Sequence, residues 1–512
     1  MEPVLDKPIE NQVTEESKAV TTKTHTQQKP EADQKTQEVY THQALATGSQ
    51  SISETEPLTT EHQVVPSHLL HDSQALETKF AVNDTSTHLF LEQRVSPTVL
   101  SKANDVIDSL SKNIIKKGPI DAEQTKKLEQ EFLSALPSFG TFINPEGLLK
   151  EVLDKKLGVD QFAVKDFSGG SGAKTYGIFI PDNNGKLTYI VKTMEGQPSE
   201  LAMELHSLQQ LSDLHLRKAS VSVVYAAGTF TFEQSSEPHT IFIQTVSKGE
   251  ECTSLIKNAA ATQGGERAEK LASIKDGHLA AAQGLAELHL KNRALAGPVN
   301  EDVQSYNREY LKDVYDWTME ILGEPGGKRI PMTKEELKEA YDSTLSAVEG
   351  NWGTAGYSHG DTHLDNLFVT KATADRPAEF SFIDTPSFLA SCDKNGHPIG
   401  FPSYDYAWTL GSIAEKGFLA GLTTDEVTEL QKSFAKEYKQ AMGADIAPQP
   451  AINLAMLTKQ LLFIGRANQY QEYVLDLEAG KIPDKKKKAD PSGEIERAQR
   501  LVDHMTASIR QK

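Results

Sequence analysis

The sequence predicts an α+β protein of two lobes, the first rich in strands and the second in helices, with a cleft between them. Three observations carry this expectation. From Gln161 to Val246 the apolar residues fall in short β-rich runs separated by turn signals. After Cys252 the chain reads as helix almost to its end. Inside that helical half, "YSHGDTHLDNLFV" (residues 357–369) crowds two histidines, two aspartates and an asparagine against an apolar run. Polar groups rarely sit against a buried strand without partners, since each one left unpaired costs about 1–3 kcal/mol.

Composition narrows the classes. The chain has 512 residues and is 38% hydrophobic, enough to bury a sizeable core over part of its length. A formal charge of -19 argues against a generic nucleic-acid or anionic-membrane binder. Two cysteines far apart, Cys252 and Cys392, make no disulfide framework and suit a reducing compartment. No apolar run reaches the roughly 18 residues of a membrane span, and the acidic opening "MEPVLDKPIENQ" does not read as a secretory signal.

Taken in order, residues 1–86 are rich in Thr, Gln, Glu, Ser and Lys with no periodic apolar face, and are expected to be a disordered polar tail. Residues 87–158 are expected to be a small helical extension, with Val99, Ala103, Val106, Leu110 and Ile114 on one stripe. Residues 159–246 form the strand-rich lobe. "FAVKDFSGGSGAKTYGIFI" and "LTYIVKTM" are joined by the Asn-Gly turn of "PDNNGK". A helix follows with Leu201, Leu205, Leu208 and Leu211 on one face, then the strands "VSVVYAAGTFTF" and "HTIFIQTVSKGEE". Residues 247–512 form the helical lobe, in which Thr333 with Glu336 and Thr423 with Glu426 fit capping boxes. The run Lys485–Lys488 reads as a solvated loop.

The chemistry is read from four places. Asp361 can orient or accept the proton of a hydroxyl, and the amide of Asn366, five residues on, can coordinate Mg²⁺, which prefers oxygen ligands. "LFV" and "FSFI" read as a hairpin that would bring Asp384 beside Asn366 as a second metal ligand. Gly169, Gly170 and Gly172 lie between two strand-like runs, where backbone N–H groups could approach phosphates, although the spacing is not that of a Walker loop. Lys192, one strand later, suits a phosphate contact, with Glu204 as its carboxylate partner and Glu200 one turn earlier as the alternative. The set is that of phosphoryl transfer, where catalysis is mostly positioning and charge neutralisation.

This combination resembles the aminoglycoside phosphotransferase and choline kinase group of the protein-kinase-like fold. The group's catalytic loop is approached by His359, Gly360, Asp361, His363 and Asn366, and its Ile-Asp pair by Ile383 and Asp384. "GLAELHLKN" is similar to the helix end beneath that loop, with Ala282, Leu285, Ala286 and His289 on one face, and "PSYDYAWTL" to the segment whose Asp405 braces it. The likeness runs in order from Gln161 to Ala414. It departs in having no His-Arg-Asp, Asp-Phe-Gly or Ala-Pro-Glu, so a phosphorylated activation loop is not expected.

The resemblance implies Asp361 as catalytic base, Asn366 and Asp384 on Mg²⁺, Lys192 on the ATP phosphates with Glu204 holding it, and the adenine at a hinge around Gln244 to Val246. It implies a kinase moving the γ-phosphoryl group of ATP to a hydroxyl of a small molecule such as an amino sugar, choline or a sugar-like compound. His359 and Asp405 are expected to be structural, Asp365 a loop-capping or solvent-facing acid, and both cysteines inert. His363 is left to pack or to touch the γ-phosphate, and a zinc site of His359, Asp361 and His363 lacks further ligands. Three alternatives stay open: an effector kinase acting on a protein or a lipid or inositol headgroup, a pseudokinase-like scaffold, and a nucleotide transferase. A cytoplasmic location is expected, or translocation of a bacterial effector into a host cell, with residues 1–86 as the place for a protein partner.

Overall fold

The computed structural model describes residues 95–116, 122–153, 162–166, 173–179, 187–195, 198–323, 329–373, 376–393, 395–481 and 490–511. The polar stretch 1–86, Gly169, Gly170 and Gly172, the Asn-Gly turn and the run Lys485–Lys488 lie outside the described residues.

Two amphipathic helices come first, α1 (Pro97–Lys116) and α2 (Ala122–Ala135). Val99, Ala103 and Val106 of the expected stripe are buried, while Leu110 and Ile114 fall outside the described side chains. The region expected to be wholly helical then contains a strand, β1 (Ser138–Phe142), followed by α3 (Pro145–Val152), whose N-cap Asn144 accepts from Gly147 N. The strand-rich part continues through β2 (Ala163–Asp166), β3 (Ala173–Phe179) and β4 (Leu187–Glu195). Helix α4 (Pro198–Asp213) precedes β5 (Ala219–Val221), β6 (Val224–Phe232) and β7 (Ser235–Thr245).

Six of these strands form one sheet in the order β1-β6-β7-β4-β3-β2, antiparallel except where β1 joins β6. Strand alternation gives the sheet two apolar faces. On one, Met194 and Phe242 meet Leu201, Leu205 and Leu208 of α4, Val99, Ala103 and Val106 of α1 and Phe132 of α2 in a single cluster. On the other, Tyr189, Val191, Ile241 and Ile243 pack against Leu148, Leu149 and Val152 of α3. Helices α1 to α3 thus supply part of the core of the strand-rich lobe.

The crossing to the helical part is made at Gly249, whose φ of +99° suits glycine and whose Cβ, if present, would lie 2.3 Å from the Val369 carbonyl. Strand β8 (Glu250–Glu251) follows, then α5 (Cys252–Ala260), α6 (Gly264–Leu290), α7 (Glu301–Ile321) and α8 (Lys334–Val348). The expected hairpin is present as β9 (Leu367–Val369) and β10 (Phe380–Phe382), paired antiparallel with Leu367 opposite Phe382. It lies in a second sheet ordered β5-β10-β9-β8, so strands from both sides of the crossing flank it. The hairpin rests on α6 at Gly284, where a Cβ would meet the Phe380 ring at 2.3 Å.

Four helices complete the chain: α9 (Pro402–Ala420), α10 (Thr424–Met442), α11 (Gln449–Glu478) and α12 (Pro491–Arg510). Both capping boxes form, at Thr333 and at Thr423. Among the described residues, no helix is long and apolar enough to cross a membrane.

If α1 and α2 share the core of the sheet, damage to α2 must be felt by the whole lobe. Phe132 is fully buried. Phe132→Ala is expected to cost about 3–5 kcal/mol in urea unfolding, with the sheet and helix signals of the lobe moving together.

Candidate active site

Lys192 lies on the face of β4 that meets α4, and its Nζ is 2.6 Å from Glu204 Oε1. The partner is Glu204 rather than Glu200. Burial pulls the Lys192 pKa down, but Glu204, then Asp384, then Glu200 more than offset it, so the ammonium is held above its ordinary value. Glu200 is pushed up by its burial and by the charges of Glu204 and Asp384, a crowding of carboxylates that favours a cation between them.

The loop opposite is held from below by Asp405, at the start of α9 and fully buried. One carboxylate oxygen accepts from His359 N at 2.6 Å and the other from Gly360 N at 2.8 Å. His289 Nε2 lies 3.1 Å from Asp405, and its Nδ1 is 2.7 Å from Tyr438 OH on α10. Gly360 has φ +85°, and a Cβ there would lie 2.8 Å from Ser387 Cβ, so only glycine fits this turn. The His359 ring donates from Nε2 to Ile383 O at 2.9 Å and accepts at Nδ1 from Asp361 N at 3.3 Å. Both nitrogens are thus engaged in the loop, which removes His359 from a zinc set and gives it the structural place expected.

Asp361 follows directly. Burial works to raise its pKa, but His363, His359 and Lys459 outweigh it and keep the carboxyl below its ordinary value, as the anion. Asn366 Nδ2 donates to Asp361 O at 3.0 Å and approaches Oδ2 at 3.3 Å, which leaves the amide oxygen for another ligand. Asp361 Oδ1 is buried with no hydrogen-bond partner among the described residues. Ile383 N donates to Asn366 O at 3.0 Å, bringing the loop to the turn that carries Asp384. Asp384 itself has φ +59°, a left-handed conformation that costs a non-glycine residue about 1–3 kcal/mol and concentrates at functional turns.

His363 neither packs as an inert ring nor stands free. Its Nε2 is 3.5 Å from Asp361 Oδ2 and its Nδ1 3.2 Å from Asp365 Oδ2. Burial lowers its pKa, yet the two aspartates carry it up to about 10, so it is an imidazolium between two carboxylates. Asp365, expected as a loop-capping or solvent-facing acid, is partly exposed and also pairs with Lys416 at 2.7 Å. Gln244 sits inside the sheet, opposite Ile190 on one side and Val224 on the other. Its backbone is flanked by strands on both sides, and Val246 is the first residue beyond β7. The segment 386–391 after Asp384 runs against α4. Cys252 and Cys392 are buried, and burial pushes both thiols up, away from nucleophilic chemistry.

One residue of the site was not anticipated. Lys459 of α11 is 1% exposed, and its Nζ stands over the rings of Trp408 at 3.1 Å and Tyr404 at 3.8 Å. The signal available in the sequence was a lysine within "AMLTKQLLFIG", an otherwise apolar stretch.

No family profile matches the chain, and no curated protein does. Solved structures do. A Ralstonia eutropha protein assigned as an aminoglycoside phosphotransferase matches at 15% identity and a TM-score of 0.40, over 71% of this chain and 97% of its own. A glucosamine kinase in complex with glucosamine, ADP and inorganic phosphate matches at 14% and 0.38, over 66% and 84%. An ethanolamine kinase of Plasmodium vivax matches at 16% and 0.34, over 76% and 95%. These similar structures are of small-molecule kinases. At such identities and scores, the roles of residues in this chain rest on the geometry above.

The His363 pKa sets a pH dependence. Its folded value near 10 exceeds the ordinary 6.5, so the stability it contributes is full below pH 6.5 and is lost as pH rises toward 10. Unfolding of the native chain and of His363→Gln should differ most at pH 6, and the difference should shrink steadily up to pH 10.

Proposed function

We propose that the chain is a phosphotransferase that moves the γ-phosphoryl group of ATP to a hydroxyl of a small molecule. The observation that carries this reading is Asp361, a buried carboxylate held ionised with Oδ1 unpartnered among the described residues, in a loop that also supplies Asn366, while the charge of Asp384 acts on Lys192.

In this reading Asp361 Oδ1 accepts the acceptor's hydroxyl hydrogen bond and takes its proton as the new O–P bond forms and the β–γ bridge breaks, releasing ADP. Lys192, kept charged and aimed by Glu204, binds phosphate oxygens. Asn366 and Asp384 would hold Mg²⁺, which supplies neutralisation of phosphate charge. Two protein oxygens suit that ion, which keeps several waters and takes the rest of its ligands from phosphates. The surplus of carboxylates around Lys192 agrees with a cation there. Gly169, Gly170 and Gly172 remain the proposed phosphate loop, and Val246 with Gln244 the adenine hinge. His363 would keep Asp361 ionised and fixed in direction rather than react.

Asp361→Asn is expected to lower acceptor-stimulated ADP release by about 10²–10⁴ while leaving Mg·ATP affinity near that of the native chain. Lys192→Ala should weaken Mg·ATP binding in calorimetry. Turnover with acceptor pools that is equal in the native chain and Asp361→Asn would overturn the assignment. AMP transfer in place of ADP release would move the chain to the nucleotide transferases.

A further inference from the structure

The amine of Lys459 is buried, has no hydrogen-bond partner among the described residues, and is surrounded by aromatic faces. Trp408 lies 3.1 Å from Nζ to ring centroid, Tyr404 3.8 Å and Tyr310 5.1 Å. The three rings come from two helices, with Tyr310 on α7 and the other two one turn apart on α9. Such a cage is the arrangement that binds an ammonium group, through ring quadrupoles strengthened by removal of water.

The cage adjoins the reacting carboxylate. The Trp408 and His363 rings are 6.3 Å apart, and His363 Nε2 is 3.5 Å from Asp361 Oδ2. Tyr404 immediately precedes the brace residue Asp405 and, unlike Trp408, is only half-buried. Burial, and after it the charge of Arg466, pull the Lys459 pKa well below its ordinary value against the opposing pull of Asp361 and Asp405. The ring faces act against that shift, in favour of the ammonium form. In either protonation state the side chain fills the volume between the rings.

We propose that Lys459 is a specificity-determining residue: it occupies, from within the chain, the cage beside Asp361 that would otherwise receive an ammonium group of the acceptor. The acceptor is therefore a hydroxyl compound that carries no ammonium group. This inference rests on the phosphotransfer reading for the word acceptor, but the occupancy of the cage is measurable without turnover.

The test is calorimetry with tetramethylammonium chloride on the full chain, its Lys459→Ala variant, which vacates the cage, and its Lys459→Met variant, which fills it without charge. Lys459→Ala should bind tetramethylammonium at least about 10-fold more tightly than the native chain, and Lys459→Met should gain nothing. A folded Lys459→Ala that binds no better than the native chain overturns the proposal. So does tight binding by the native chain itself, or ADP release stimulated in it by choline, ethanolamine or glucosamine, and neither of these needs a variant. Mg·ADP affinity, measured in the same samples, separates the two claims: its absence contradicts the phosphotransfer reading, while the tetramethylammonium comparison still decides the role of Lys459.

Discussion

The candidate site depends on one buried carboxylate. Asp405 takes two backbone N–H groups of consecutive residues, His359 and Gly360, on its two oxygens and receives His289 beside them. A loop that must turn through a positive-φ glycine and then present Asp361 outward cannot satisfy those N–H groups within itself. Each donor left unpaired would cost about 1–3 kcal/mol, so the loop geometry and Asp405 stand or fall together. The same residue ties α6 and α10 to the loop through His289 and Tyr438, and the Thr362 hydroxyl donates to its carbonyl oxygen at 2.9 Å. Helices distant in sequence thereby fix the direction of one side chain.

Above this brace, charges alternate. Lys416, Asp365, His363 and Asp361 run from α9 to the cleft, each next to an opposite charge. In the strand-rich lobe Lys192 pairs with Glu204 and feels the charges of Asp384 and Glu200 as well. Buried ions are tolerated when their mutual attraction and hydrogen bonds offset desolvation, and removing one partner is then far more damaging than removing both. The arrangement leaves Asp361 Oδ1 and the Asn366 amide oxygen open to ligands, on the side where Asp384 is held in a strained backbone conformation. Rigid surroundings with a few unmatched acceptors are what positioning catalysis requires.

Much of this was legible because it is local. The spacing of Asp361 and Asn366, the apolar hairpin leading to Asp384, and the two capping boxes each depend on residues within about one or two elements of one another. The Lys192–Glu204 pair could be narrowed to two candidates by strand parity and helical spacing, and the ion-pair distance selects between them. Strand β1 was not legible: "SFGTF" is a short edge strand between helices, only partly buried, and it pairs with β6, some ninety residues later. The partner of Asp365 could not be read from the sequence, since Lys416 lies on α9, outside any local pattern. Lys459 is the same case at greater range, for a lone lysine in an apolar helix shows that something receives it but not which rings do.

The central claim is that Asn366 and Asp384 make this cleft a metal-dependent nucleotide site governed by Asp361. The most direct measurement is ADP binding by calorimetry with and without Mg²⁺, on the native chain and on Asp384→Asn. The account predicts that Mg²⁺ tightens ADP binding to the native chain and that Asp384→Asn loses this gain while staying folded. Equal affinity in all four titrations, or no ADP binding by the native chain, would contradict it.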